Sequence, residues 1–218
     1  MDFLELIQTR RTIKEFLPRF VDWDQISKII DAGRHAPSCG NLQNWRFIVV
    51  VDDGIRQKLA EAAFQQYEIV SAPVHIIVCV EPEKAERYYG SRGNQLYSIQ
   101  NGAAAIENML LAAHSLGLGA KWVGAFEEDT IKKLLSIPEE VRPQAIVAIG
   151  YPKEIPPKPP KLPLETVTYF NRWRNKIRDP SKYMQDYSVI IQRKLNALKQ
   201  QIKKPLSHVV EKAKNQFK

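Results

Sequence analysis

Residues 36–51 read APSCGNLQNWRFIVVV. The first nine positions hold small residues, amides and a cysteine. The rest is aromatic and branched, the composition of a buried strand starting near Trp45. Ser38, Asn41 and Gln43 supply neutral donors and acceptors at the strand entrance, and the small residues let a flat ligand approach the backbone. A helix-to-strand loop with ordinary polar turn chemistry fits the same residues, so both readings stand.

Working outward, the chain alternates helix and strand. Residues 2–9 and 22–35 read as helices, the second capped by Asp22 with Ile26, Ile29, Ile30 and Gly33 on one face. Residues 53–66 read as a helix, and VHIIVCV (74–80) as a second buried strand after Pro73. Residues 82–94 are polar, with Tyr88, Tyr89, Gly90 and Gly93, and read as a mobile surface segment. A long helix follows over 95–116, apolar almost all round, which requires burial centrally or at a subunit interface. Gly117 and Gly119 end it. AKWVGAF (120–126) reads as a strand, EEDTIKKLLSI (127–137) as a helix and QAIVAIGY (144–151) as a strand. PPKPP (156–160) is an irregular connector. Tyr187, Ile191, Leu195, Leu198 and Ile202 recur at helical spacing up to Pro205. The expected organisation is one domain over 1–179 and a basic helical extension over 180–218.

Alternation alone suggests a doubly wound parallel sheet. A dinucleotide fingerprint needs glycines after a strand and opening a helix. Here Gly117, Gly119 and Gly124 follow a helix and lead into a strand, so that fingerprint is rejected. There is no P-loop pattern either.

The bulk numbers are those of an ordinary globular protein. Of 218 residues, 44% are hydrophobic and 26% charged. No apolar run approaches the roughly 18–20 residues of a membrane span, and MDFLELIQTRR is not a signal peptide. Two cysteines, Cys39 and Cys79, exclude a disulfide framework and point to the cytoplasm. The net charge is +8, but residues 180–218 contribute +7 of it, leaving +1 for residues 1–179. The basic tail reads as a solvated helix face or a docking element for polyanions; nucleic-acid binding by the body is not expected. His35, His75, His114 and His208 lack metal-ligand spacing and read as structural or surface residues.

Two further places concentrate chemistry. Arg10, Arg11, Thr12 and Lys14 put two guanidiniums, a hydroxyl and an ammonium in one short stretch. That set suits a phosphate or other polyanion, or equally the cation preference of a helix C-terminus. Gly124 and Ala125 leave a strand just after Trp122, either as a tight packing point or beside a ligand.

Taken in order, RRTIKEF (10–16), APSCGNLQNWRFIVV (36–50), ENMLLAAHSLGLGAKWVGAF (107–126), IPEEVRPQAIVAIGYPKE (137–154) and KLPLETV (161–167) resemble the nitroreductase family of flavin-dependent oxidoreductases, over about residues 1–173. The resemblance implies an α+β fold, a mixed and mostly antiparallel sheet wrapped by helices, in place of the parallel sheet suggested by alternation. It implies a homodimer with FMN at the interface, the 95–116 helix in the interface and the C-terminal extension wrapping the partner. Arg10 and Thr12 would then hold the FMN phosphate and ribityl chain, with Arg11 beside them, and Lys14 would approach the N1/O2 edge. Pro37, Ser38 and Cys39 would line the ring from the partner subunit, with Asn41 and Gln43 completing the loop. Gly124 and Ala125 would offer backbone donors near flavin N5, and Lys161 would return to the phosphate.

The chain departs from the family's usual residues at Cys39, Asn44, Pro159 and Lys161, where Ser, Pro, Lys and Arg are more common. No side-chain catalytic acid is expected; flavin N5 carries the chemistry, and Lys14 tunes it. The implied activity passes electrons from NAD(P)H through FMN to a small acceptor (nitroaromatic, quinone, enone or flavin) in a two-stage cycle. Tyr67, Tyr88 and Tyr89 would shape the acceptor pocket or remain surface residues. The alternatives are a flavin-dependent oxidase or desaturase, and a flavin-binding protein without turnover that docks through its basic tail.

Overall fold

The computed structural model describes residues 2–176, 186–187, 190–191 and 193–198. Residues 1–158 form one compact unit and residues 159–218 a second.

In the first unit a four-stranded sheet lies between two helical layers. The strands are β1 (Trp45–Val50), β2 (Val74–Val80), β3 (Gly119–Val123) and β4 (Arg142–Gly150), in the order β1-β2-β4-β3. Every strand pair is antiparallel: Trp45 stands opposite Val80, Val74 opposite Ile149, and Gly119 opposite Gly150. Among the described residues the one parallel pairing is the isolated bridge between Thr12 and Ala120, outside the four strands. Counting that bridge, the pairing is mixed and mostly antiparallel; the four strands themselves are all antiparallel, and the parallel sheet suggested by alternation is wrong. Alternation sets the spacing of elements along the chain and says nothing about strand direction.

All seven residues of β2 are buried, as the unbroken run VHIIVCV requires of a strand covered on both faces. Val74, Ile76 and Val78 join a core with Ile26 and Ile29 of α2 (Trp23–Arg34) and Ile106 and Met109 of α5 (Ser98–Ser115). Ile77 and Cys79 join the opposite core with Leu59 of α3 (Asp53–Ala62) and Ile131 of α6 (Glu128–Leu135). The period-2 alternation of side chains thus feeds two cores from one strand.

Local chemistry sets the helix ends. The Gln25 side chain accepts from the Asp22 N–H at 3.4 Å at the start of α2, and the Asp52 carboxylate accepts from the Ile55 N–H at 2.8 Å in the first turn of α3. α3 stops at Ala62, short of the expected Gln66, because Phe64 and Gln65 take positive φ.

The segment 82–94 is a correction: it is largely helical, as α4 (Pro82–Arg92), with a bend at Gly90 (φ 58°, ψ −151°). Pro82 occupies the opening turn, where its missing N–H costs nothing. A π turn over Gly93–Tyr97 joins α4 to α5. α5 buries Asn101, Ala105, Met109 and Ala113 on one face, while Ile99, Ala103, Ala104 and Leu111 of the other face keep partial exposure. It is therefore half-covered within one chain.

A short helix, α1 (Phe3–Thr9), has no buried residue, and its Phe3, Leu4 and Ile7 are exposed. PPKPP, which spans the boundary between the units, is irregular, and in the second unit an unforeseen helix, α7, spans Leu164–Val167. Tyr187, Ile191, Leu195 and Leu198 are helical, while Ile202 and Pro205 lie outside the described residues, as does most of the basic extension.

Candidate functional site

Arg10, Arg11, Thr12 and Lys14 lie on a strap that leaves α1 and crosses the end of the sheet. The Ile13 N–H donates to the Ala120 carbonyl at 3.1 Å, and the Leu17 N–H to the Tyr151 carbonyl at 2.8 Å. Two glycines admit the strap. A Cβ on Gly119 would stand 2.5 Å from Ile13 Cγ1, and one on Gly150 would stand 3.0 Å from Phe16. Gly119→Ala is expected to displace the strap and destabilise the protein by about 1–3 kcal/mol, the usual cost of overpacking. Thermal denaturation checks this.

The strap is electropositive. Among the described residues, Nε of Arg10 and Nε of Arg11 are buried and make no hydrogen bond. Arg10 Nε faces Glu107 of α5 only at 3.8 Å. Arg11 Nη1 is fixed by the Gln8 and Arg10 carbonyls at 2.9 and 2.7 Å. Beside them His114 Nε2 meets Thr9 Oγ1 at 2.9 Å. Burial, then the Arg10 and Arg11 guanidiniums, push the His114 imidazole below its ordinary pKa. Unsatisfied guanidinium nitrogens in a positive field are what an anion with several oxygens would complete.

Gly124 and Ala125 follow the end of β3 and are exposed. Gln66 Nε2 donates to the Ala125 carbonyl at 3.4 Å. Thr12 bridges the start of β3 and Gly124 stands just past its end, four residues or roughly 13 Å along the strand. An elongated ligand lying along β3 would touch both.

The opening loop is at the opposite edge of the sheet. β1, which it enters, is separated from β3 by three strand spacings, ~14 Å. Pro37, Ser38, Cys39, Asn41 and Gln43 are therefore not brought to the strap within one chain. Their own geometry is highly specified. Gly40, Asn41 and Gln43 all take positive φ, and Ser38 Oγ accepts from the Gln43 N–H at 3.0 Å. A Cβ on Gly40 would meet the Tyr89 hydroxyl at 2.7 Å. Tyr89 thus touches this loop while remaining exposed, as Tyr67 and Tyr88 are.

Sequence reasoning missed what holds the loop. Asn101 of α5 accepts from the Cys39 N–H at 3.0 Å and donates to Asn44 Oδ1 at 2.8 Å. Asn44 Nδ2 donates to the Glu81 carbonyl at 3.0 Å and to Ser98 Oγ at 3.2 Å. Ser98 Oγ in turn donates to the Gly93 carbonyl at 3.0 Å. Asn44 is 0% and Asn101 4% exposed, so these bonds replace water entirely. No local pattern announces a pair 57 residues apart.

Of the histidines, His35 is exposed beside Asp31 and His75 is buried, while His208 lies outside the described residues. Cys79 is an inert core thiol, its pKa pushed up to about 12 by burial. Lys161, in the second unit, is exposed in an irregular segment. Among the described residues no helix is long and apolar enough to cross a membrane.

Comparison with known proteins follows the same geometry. Residues 7–73 and 66–151 match the model of the nitroreductase family. A Methanothermobacter thermautotrophicus protein with the provisional name NADH dehydrogenase/NAD(P)H nitroreductase is 41% identical over 160 residues, covering 72% of this chain and 80% of its own. A Bacillus subtilis protein named FMN reductase [NAD(P)H] is 29% identical over 187 residues, covering 80% of this chain and 75% of its own. The structure of an NADPH:FMN oxidoreductase from Vibrio harveyi in complex with NAD+ superposes with a TM-score of 0.72 at 26% identity, over 82% of this chain and 81% of that one.

Proposed function

The chain belongs to the nitroreductase family and is an NAD(P)H-dependent oxidoreductase of that kind, and from that premise we propose that it is an FMN enzyme passing electrons from NAD(P)H to a small organic acceptor in a two-stage cycle. The observation that carries the cofactor assignment is the pair of buried guanidinium nitrogens on Arg10 and Arg11 that no group among the described residues satisfies. A phosphate monoester supplies the missing acceptors.

Arg10 and Arg11 bind that phosphate, and Thr12 positions the ribityl chain at the start of β3. Lys14, exposed on the strap, offers a cation to the pyrimidine edge of the ring. Gly124 and Ala125 offer main-chain groups at the far end of β3, where the absence of bulk leaves room for a flat ring. Bound FMN would supply the redox chemistry, accepting a hydride at N5 and returning electrons to the second substrate.

The opening loop completes the site from a second copy of the chain. Pro37, Ser38, Cys39, Asn41 and Gln43 lie on the far sheet edge from the strap. The apolar outward face of α5 and the exposed Phe3, Leu4 and Ile7 of α1 supply surface for such a homodimer. Tyr89, which touches the loop, then borders the acceptor.

The decisive test is the visible spectrum of the purified protein, before and after anaerobic NADH or NADPH. A flavin spectrum bleached by one nucleotide is expected; protein that takes up no added FMN would overturn the assignment. Arg10→Ala is expected to weaken FMN binding by about 1.5–3 kcal/mol, the worth of a charged hydrogen bond. Fluorescence titration of apoprotein with FMN measures this, and unchanged affinity would remove Arg10 from the phosphate site.

A further inference from the structure

β3 carries a lysine on a face otherwise committed to the core. Lys121 stands opposite Ala148 in the ladder and is 8% exposed. Its ammonium donates to Glu68 Oε1 at 2.7 Å and to Gln66 Oε1 at 3.2 Å. The same Gln66 reaches the Ala125 carbonyl at 3.4 Å. Three residues beyond Glu68, Ser71 Oγ accepts from the Phe16 N–H of the strap at 3.2 Å. The segment 66–71 therefore ties together β3, the turn at Gly124–Ala125 and the strap that carries Lys14.

A lysine placed here is costly unless its charge is answered. Glu68 answers it. The hydrogen bond from Lys121 holds the Glu68 carboxyl below its usual range, and the charge of Lys14 adds to this as a minor contribution. Glu68 thus stays anionic between two lysines. One ammonium touches it; the other acts through space.

We propose that the Lys121–Glu68 pair sets the electrostatic field along β3, with Glu68 offsetting part of the positive potential that Lys14 presents to bound FMN. The inference rests on the FMN reading above. Reduced flavin is more electron-rich than oxidised flavin, so positive potential favours it. Glu68 limits that preference, and Lys121 limits Glu68 in turn. The two are positioning residues: they act on the cofactor through the field and through the turn they tether.

The test uses the full-length FMN-loaded protein and the midpoint potential of its bound flavin, measured anaerobically against reference dyes. Glu68→Gln is expected to raise the preference for reduced over oxidised FMN about tenfold, ~30 mV for a two-electron couple. Lys121→Met breaks the same contact but is expected to shift the potential the opposite way. Simple loosening of segment 66–71 would move both variants in one direction. Glu68→Asp is expected to restore most of the wild-type value, and the shifts should shrink as salt screens Glu68.

Shifts of the same sign, or Glu68→Gln changing the ratio less than threefold, would overturn the proposal. Should Lys121→Met not fold, the sign of the Glu68→Gln shift and its reversal in Glu68→Asp decide the matter. Wild-type protein that binds no FMN would overturn the underlying reading instead, and that result precedes any comparison of variants.

Discussion

Asn101→Ala is expected to lower stability by about 2–4 kcal/mol, because it strands two partners at once, one fully buried and one partly so. The Asn101 side chain accepts from the Cys39 N–H and donates to Asn44 Oδ1. Alanine offers neither bond. Asn44 Oδ1 has no access to water, since Asn44 is fully buried, and each orphaned group costs roughly 1–3 kcal/mol. The cavity left by the amide adds to the loss. Urea unfolding checks the value: the midpoint should fall at an unchanged slope. A loss under 1 kcal/mol would mean that the network is not what holds the opening loop.

The second large effect is a loss of stability in acid that is traceable to His75. Its Nε2 lies 2.9 Å from the Ile69 carbonyl. A carbonyl only accepts, so Nε2 carries the proton and Nδ1 is bare. Nδ1 is buried and has no hydrogen-bond partner among the described residues. Burial above all, with a smaller contribution from the Arg56 guanidinium, drops the His75 pKa to about 4. The bond to Ile69 works the other way and is outweighed.

The unfolded chain binds this proton near pH 6.5. Between pH 6.5 and 4 it therefore holds more protons than the folded chain, and stability falls as pH falls. The loss is complete below the folded pKa and amounts to about 3 kcal/mol. It is absent above pH 6.5. Denaturant midpoints between pH 7 and 4 should show this fall in wild type, and a His75→Phe variant should lack this share of it. Equal pH dependence in both would show that other groups govern acid unfolding.

Much of the fold is legible in the sequence where one physical signal dominates. The unbroken run Val74–Val80 can only be a strand covered on both faces, and it is. The helix at Trp23–Arg34 announces itself by its periodicity and by Asp22. Strand direction is not legible this way, because a buried strand has the same composition in either orientation. The direction came from the family resemblance and not from the pattern.

The polarity of residues 82–94 describes the exposed side of a helix as well as it describes a loop, so it does not choose between them. What decides the matter is the buried Ala85 and the close seat of Gly93 against the Ala85 carbonyl, 2.3 Å from where a Cβ would stand. The cationic strap is legible as residue types in a row. Asn44 with Asn101, and Lys121 with Glu68, are not, since each pair is made by the sheet folding distant segments together.

The burial of β2 has a consequence for exchange with solvent deuterium. Its amides are paired on both sides, to β1 and β4, and covered by a core on each face. They have no route to water short of opening the whole sheet, so their exchange should report the global unfolding free energy. The strap at Ile13–Leu17 hangs on a few scattered main-chain bonds. Its amides should exchange through small local openings, orders of magnitude faster. The slowest clock in the molecule therefore runs one strand in from the β1 edge, and the strap of the candidate site runs on the fastest ones.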